Sequence, residues 1–196
     1  MTSEQIKEAA LRQFALHGYK GASLSSIADE VGIKKQSIYT YFKSKEELFI
    51  HSFNESIVHE LHFIEHFFTG TNPRLSVEKL LYTFLIEYMN RYEESINTSF
   101  FIRTSYFPPH QLKELIIRES YRLTDRLECL LESSFEEKGD LLNSNFSADT
   151  GTSAYLTILD GLFVEMLYGG RSERLQKRIS SSWEIFWQGI NSSKRC

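Results

Sequence analysis

Apolar residues recur along this chain at intervals of three and four, the spacing of one buried face on an α-helix, and no convincing strand-like alternation interrupts them. The pattern therefore predicts an all-α protein. Ile6, Ala10 and Phe14 form the inward stripe of a first helix over about Ser3 to Leu16, opened by Thr2 with Gln5 and stopped by Gly18. Two short helices follow, at about Leu24–Val31 and Lys35–Phe42, split at Gly32. A longer helix begins near Lys45 and reaches about Phe68, where Thr69 to Pro73 make a turn-rich break. Further helices are expected at about Leu75–Glu94, Thr98–Tyr106 and His110–Lys138, the last two parted by Pro108 and Pro109, which donate no helical hydrogen bond. Gly139 to Gly151 read as a polar loop, and Gly169-Gly170 separates two final helices at about Thr152–Tyr168 and Glu173–Ile190.

The two short helices have the residues that a steep crossing over a tight turn requires. Ile27 and Val31 lie one turn apart on a buried face, Ala28 is small where the second helix must approach, and Ile33 and Ile38 fill the angle between them. Gly32 stands where the chain needs a positive φ, and Ser23 precedes the first helix as a cap. Outside this core the second helix carries Lys34, Lys35, Gln36, Ser37, Thr40 and Tyr41, a set of donors and acceptors suited to phosphates and base edges. On these residues alone two readings stay open: a nucleic-acid reader, or a structural helical hairpin with a solvated face.

Charge favours the reader locally. The 196 residues carry a formal net charge of −4, which by itself argues weakly against a nucleic-acid partner. Between Tyr19 and Lys45, however, Lys20, Lys34, Lys35, Lys43 and Lys45 face only Asp29 and Glu30. A small basic patch on an acidic body allows phosphate contact with little non-specific adhesion. No apolar run approaches the roughly 18 residues a bilayer requires, the N-terminus has no signal-peptide pattern, and Cys129 and Cys196 are two lone thiols. A soluble, cytoplasmic chain with no membrane partner is expected.

The run Ile38-Tyr39-Thr40-Tyr41-Phe42-Lys43-Ser44-Lys45-Glu46-Glu47-Leu48-Phe49 resembles the signature of the TetR family of bacterial regulators. So does the segment before it, with Ala9-Ala10, Phe14, Gly18-Tyr19, Ser23-Leu24, Ile27-Ala28 and Val31-Gly32, and the likeness spans about residues 6–50. The resemblance implies a three-helix DNA-binding domain with a helix-turn-helix over residues 1–46. A continuous helix would fuse it to a helical ligand-binding and dimerisation domain over residues 47–196. It also implies a DNA-contacting set of Ser23, Ser25, Lys34, Lys35, Gln36, Ser37, Tyr39, Thr40, Tyr41 and Lys45, with Lys45 opening a helix whose dipole favours a phosphate. Ser25 departs from the longer basic side chain that some members carry at its position. A homodimer on a near-palindromic double-stranded operator, released by a small effector, is the activity this implies; an activator on the same fold is the variant. No catalytic residue and no cofactor are expected.

By the same resemblance, aromatic residues of the body line an effector cavity. The candidates are Tyr88, Phe101, Tyr106, Tyr121, Tyr155 and Phe163, with Arg103 as an anchor for an acidic ligand. For Arg103 a surface or ion-paired role is the alternative. Ile158, Leu162 and Met166 on one helix and Ile179, Trp183, Phe186 and Ile190 on the next are expected at the dimer interface, the alternative being burial within one subunit.

One feature points to a different class. At about 100° per residue, His51, Glu55, His59, His62 and His66 fall within roughly an 80° arc. His62-Phe63-Ile64-Glu65-His66 also matches the H-x-x-E-H pattern of inverted zinc proteases, with His62 and His66 as candidate ligands. A metal-binding helical protein or hydrolase is therefore the competing reading, against a solvated polar face.

Overall fold

The computed structural model describes residues 3–70, 75–137, 146–169 and 173–191. These residues are helical almost throughout, with no strand among them. The helices are α1 (Ser3–Gly21), α2 (Leu24–Val31), α3 (Lys35–Ile38), α4 (Lys45–Glu65), α5 (Val77–Glu94), α6 (Ile96–Tyr106), α7 (Lys113–Glu137), α8 (Ala148–Gly169) and α9 (Glu173–Ile190). A wide π-turn, His66–Gly70, follows α4, and a tight 3-10 turn, His110–Leu112, precedes α7. The expected Thr2 cap, the stop at Gly139, Gly170 and the 71–73 part of the predicted break lie outside the described residues.

Several boundaries differ from the sequence expectation, each for a local reason. Gly18 does interrupt the first helix, at φ 65°, but the chain resumes helical geometry for a further turn to Gly21. Ser147 caps α8 through the Thr150 amide at 3.2 Å, so that helix begins at Ala148 and takes in Gly151, which was expected in a loop. Ser95 caps α6 in the same way, ahead of the expected start at Thr98. The second reader helix is α-helical only to Ile38. From there Tyr39, Thr40 and Tyr41 donate three residues back, which tightens the run, and the Phe42 amide donates a last regular bond to the Ile38 carbonyl. Tyr39-Thr40-Tyr41-Phe42 are β-branched and aromatic, poor at prolonging a helix.

The chain forms two compact units, residues 1–62 with 91–123, and residues 63–90 with 124–196. Their divisions fall within α4, α5 and α7. In the N-terminal unit, α1 packs on α2 and on α6, and α2 packs on α3. An aromatic series joins these helices: Phe14 meets Phe49 edge-on at 4.9 Å, Phe49 meets Phe100 at 5.5 Å, and Phe53 stacks on Phe101 at 5.9 Å. All five rings are buried, each stabilising the unit by about 1.5–3 kcal/mol relative to exposure.

The C-terminal unit is centred on Phe84, whose ring lies within 6 Å of Phe63, Phe67, Phe68 and Tyr88. Here α8 packs on α9. The buried Glu165 of α8 accepts from Arg174 at 3.1 Å and Arg178 at 2.8 Å, tying the two helices together. Tyr155 is fully buried and donates to the Leu81 carbonyl at 2.8 Å. Burial also pushes its phenol well above its ordinary pKa.

Candidate nucleic-acid interface

The reader is assembled from α2, α3 and the turn after α3. Ser23 caps α2 by accepting from the Ser26 amide at 3.0 Å, while the Ser26 hydroxyl accepts from the Ser23 amide at 3.2 Å. At the other end Gly32 adopts φ 76°, ψ 34°, and its amide closes the helix on the Ala28 and Asp29 carbonyls. Ile27, Ala28 and Ile38 are then buried to 1% exposure or less, which holds α3 against α2.

With that core closed, the remaining side chains have only one direction left. Ser23, Ser25, Lys34, Lys35, Gln36, Ser37, Tyr39, Thr40 and Tyr41 are all exposed, and Tyr39 and Tyr41 show about half their surface. The structure thus brings nine of the ten expected residues onto solvent-facing positions of one short stretch. Phe42, read as core, is buried. Glu30, one of two acids in this stretch, accepts from Arg12 at 2.5 Å and Gln13 at 2.8 Å. Those bonds, Arg12 first, hold its carboxyl below the ordinary range and cancel part of the local negative charge.

Lys45 is placed differently from the other nine, half-buried and bonded within the chain. Its ammonium donates to the carbonyls of Tyr19 at 2.8 Å and Ala22 at 3.1 Å, and lies 4.4 Å from the centre of the Tyr19 ring. The end of α1 leaves carbonyls without helical partners, and a lysine that reaches them is drawn inward. The start of α4 is also occupied. Ser44 accepts from the Glu47 amide at 3.1 Å, and the Glu47 carboxylate accepts from the Lys43 amide. Lys45 therefore ties the start of α4 to the end of α1. The Ser44-x-x-Glu47 spacing was a legible sign of this cap.

The other expected sites are less well gathered. Five of the seven residues assigned to a dimer interface, Leu162, Met166, Ile179, Phe186 and Ile190, are buried in the chain's own core. Ile158 is half-buried, and Trp183 packs against Tyr82, Phe186 and Trp187. The outward face of α8 carries Ala154, Thr157, Gly161, Val164 and Tyr168, and that of α9 carries Ser181, Ile185 and Gly189. Tyr168 and Ile185 are each about three-quarters exposed.

Of the effector candidates, Tyr88, Tyr155 and Phe163 fall in one unit and Phe101, Arg103, Tyr106 and Tyr121 in the other. Tyr88 and Phe163 touch, with ring centres 5.0 Å apart. Tyr121 is 62% exposed and lies on the surface, because its position on α7 faces away from the buried Ile116 and Leu123. Arg103 is exposed and donates to the Tyr92 hydroxyl at 3.1 Å.

No group of three or more His, Cys, Asp or Glu among the described residues is placed to hold an ion. His51 lies edge-on to Phe42, and His59 turns to Glu60 and Arg91. No helix among the described residues is long and apolar enough to cross a membrane. Sequence reasoning missed Glu60, a fully buried carboxylate on α4. Its signal was an acid on the apolar stripe, in line with Phe53, Ile57 and Ile64.

Residues 6–51 match the family model described as bacterial regulatory proteins, tetR family. The HTH-type transcriptional repressor SCO4008 of Streptomyces coelicolor is 48% identical over 48 residues, 24% of this chain and 25% of that protein. The chain thus spans about a quarter of the length of the curated relatives it matches. Likeness in fold extends much further. The transcriptional regulator FadR from Bacillus subtilis, solved in complex with stearoyl-CoA, superposes with a TM-score of 0.71 at 18% identity, covering 96% of this chain and 100% of that one. A TetR transcriptional regulator from Chloroflexus aurantiacus gives 0.77 at 16% identity, covering 96% and 95%.

Proposed function

We propose that this chain, tetR-type over residues 6–51, is a DNA-binding transcriptional repressor that works as a homodimer and releases its operator when a small effector enters the helical body. One observation carries the reading: the exposed set from Lys34 to Tyr41 stands on a fully buried Ile27–Ala28–Ile38 core, inside the segment that matches the family. Lys34, Lys35, Tyr39 and Tyr41 are assigned to phosphates, and Gln36, Ser37 and Thr40 to base edges. Ser23 and Ser25 flank the phosphates from α2. Residues 1–46 act as the reader and residues 47–196 as the body.

A second copy supplies the second reader, so that two heads meet successive major grooves about 34 Å apart. The partner is assigned to the outward α8 and α9 stripe of Ala154, Thr157, Gly161, Val164, Ile185 and Gly189, whose small residues allow close helix approach. Repression is the role named for the Streptomyces relative, and a regulator that meets chromosomal DNA is assigned to the cytoplasm. The effector acts by population shift, preferring a dimer whose heads are wrongly spaced. Phe101, in the N-terminal unit, is retained as an effector-lining residue.

Gel shift on the DNA upstream of the chain's own gene, with competitor DNA present, tests the reading. Specific binding in the range of about 10⁻⁸ M is expected at physiological salt. Gln36→Ala should alter preference at one base position by about 1–3 kcal/mol. Binding that competitor DNA removes equally well, or that neither Gln36→Ala nor Lys34→Ala disturbs, overturns it.

A further inference from the structure

Glu60 lies two turns beyond Phe53 and one beyond Ile57 on α4, and its side chain is completely buried. Three groups converge on one of its oxygens. Thr98 Oγ1 donates to Oε1 at 2.6 Å, Arg91 donates at 3.1 Å, and His59 Nδ1 stands 3.3 Å away. All four residues belong to the N-terminal unit. The second oxygen, Oε2, is equally buried and has no hydrogen-bond partner among the described residues. A carboxylate oxygen is a strong acceptor, and withdrawing it from water is favourable only when a donor meets it.

Charge decides what kind of donor fits. Glu60 and Arg91 already neutralise one another. A second cation would stand beside the Arg91 guanidinium without a counter-charge, and an anion would face the carboxylate. A neutral hydroxyl or amide N–H meets Oε2 without adding charge. The surroundings decide the rest of the molecule. Phe101, one turn along α6 from Thr98, stacks on Phe53 of α4, so the neighbouring packing is apolar. His59 and Arg91, with side chains 45% and 21% exposed, give the cluster a side on solvent.

We propose that Glu60 is the polar anchor of an effector site, its Oε2 accepting from the hydroxyl or amide N–H of a neutral, apolar-bodied molecule that lies towards Phe53 and Phe101. The assignment rests on the effector-responsive reading and names the ligand chemistry for it.

Calorimetry on the full chain with 2-phenylethanol, its methyl ether, 2-phenylethylammonium and phenylacetate, at millimolar concentration, tests it. The alcohol should bind about tenfold more tightly than the ether, which has no donor, and more tightly than either charged analogue. In Glu60→Gln the amide oxygen faces Thr98 and Arg91 and the amide N–H₂ takes the place of Oε2, so the preference for alcohol over ether should vanish. Should that variant fail to fold by circular dichroism, Glu60→Asp, shorter by one methylene, should lose the preference likewise. The wild-type series decides even without variants. Equal binding of alcohol and ether, tighter binding of a charged analogue, no binding of the alcohol, or an unchanged preference in a folded Glu60 variant overturns the proposal. A gel shift of ligand-free protein runs alongside. If it shows no DNA binding, the regulator reading falls; if DNA binds while alcohol and ether are equal, only the Glu60 assignment falls.

Discussion

The reader at α2–α3 and the helix pair α8–α9 were both identified by apolar periodicity, yet the periodicity meant different things in the two places. At the reader, the apolar positions Ile27, Ala28 and Ile38 closed a small core, and the polar positions were left outside. At α8–α9, the apolar stripe that suggested a partner closed the chain's own core instead. The outward face there is made of small and scattered apolar residues, Ala154, Gly161, Val164 and Ile185. A stripe shows that a helix face is buried; it does not say whose surface covers it.

The largest expected effect tests that difference directly. Phe186→Ala should cost about 3–5 kcal/mol in urea unfolding, because Phe186 fills the protomer core against Tyr155 and Trp183. Its neighbour Ile185 faces outward, so Ile185→Glu should keep helical circular dichroism while light scattering shows monomers. Operator affinity should then fall by more than about tenfold. If Ile185→Glu leaves the mass of the assembly unchanged, the outward face is not the dimer contact.

Two lysines of the reader separate positioning from contact. Lys45→Ala should lower the unfolding free energy by about 1–3 kcal/mol, since two charged hydrogen bonds to the end of α1 are lost. Lys34→Ala should leave stability alone and reduce the slope of log affinity against log salt by about one. A Lys45→Ala protein of unchanged melting temperature and reduced salt slope would return Lys45 to the phosphate set.

The smallest effect concerns Arg12 and Glu30, which join α1 to α2 at the edge of the reader. Arg12→Ala should cost under about 1 kcal/mol at neutral pH, the pair being partly exposed. Since Arg12 lowers the Glu30 pKa, the wild-type advantage exists above the ordinary carboxylate range. It disappears as pH falls through the lowered value and the carboxyl is protonated in folded and unfolded chains alike. Unfolding curves of both proteins at neutral and acid pH check the sign.

Most of the fold was legible in the chain because helices are local: spacing of three and four, Gly32 at a positive φ, and the proline pair after α6 all act within a few residues. The reader's outward face was legible for the same reason, since a short hairpin with one closed core leaves little choice for Lys34, Gln36 or Thr40. Cap residues such as Ser95 and Ser147 were also local, and moved helix starts by a few residues where they went unread. What tertiary structure alone decided involves groups far apart in sequence. Lys45 meets carbonyls more than twenty residues earlier, Glu60 meets Thr98 and Arg91 from other helices, and Leu162 and Phe186 find their cover inside the chain. A charge or an apolar face records in sequence that it needs a partner, while the identity of that partner is settled only when distant segments compete for it in space.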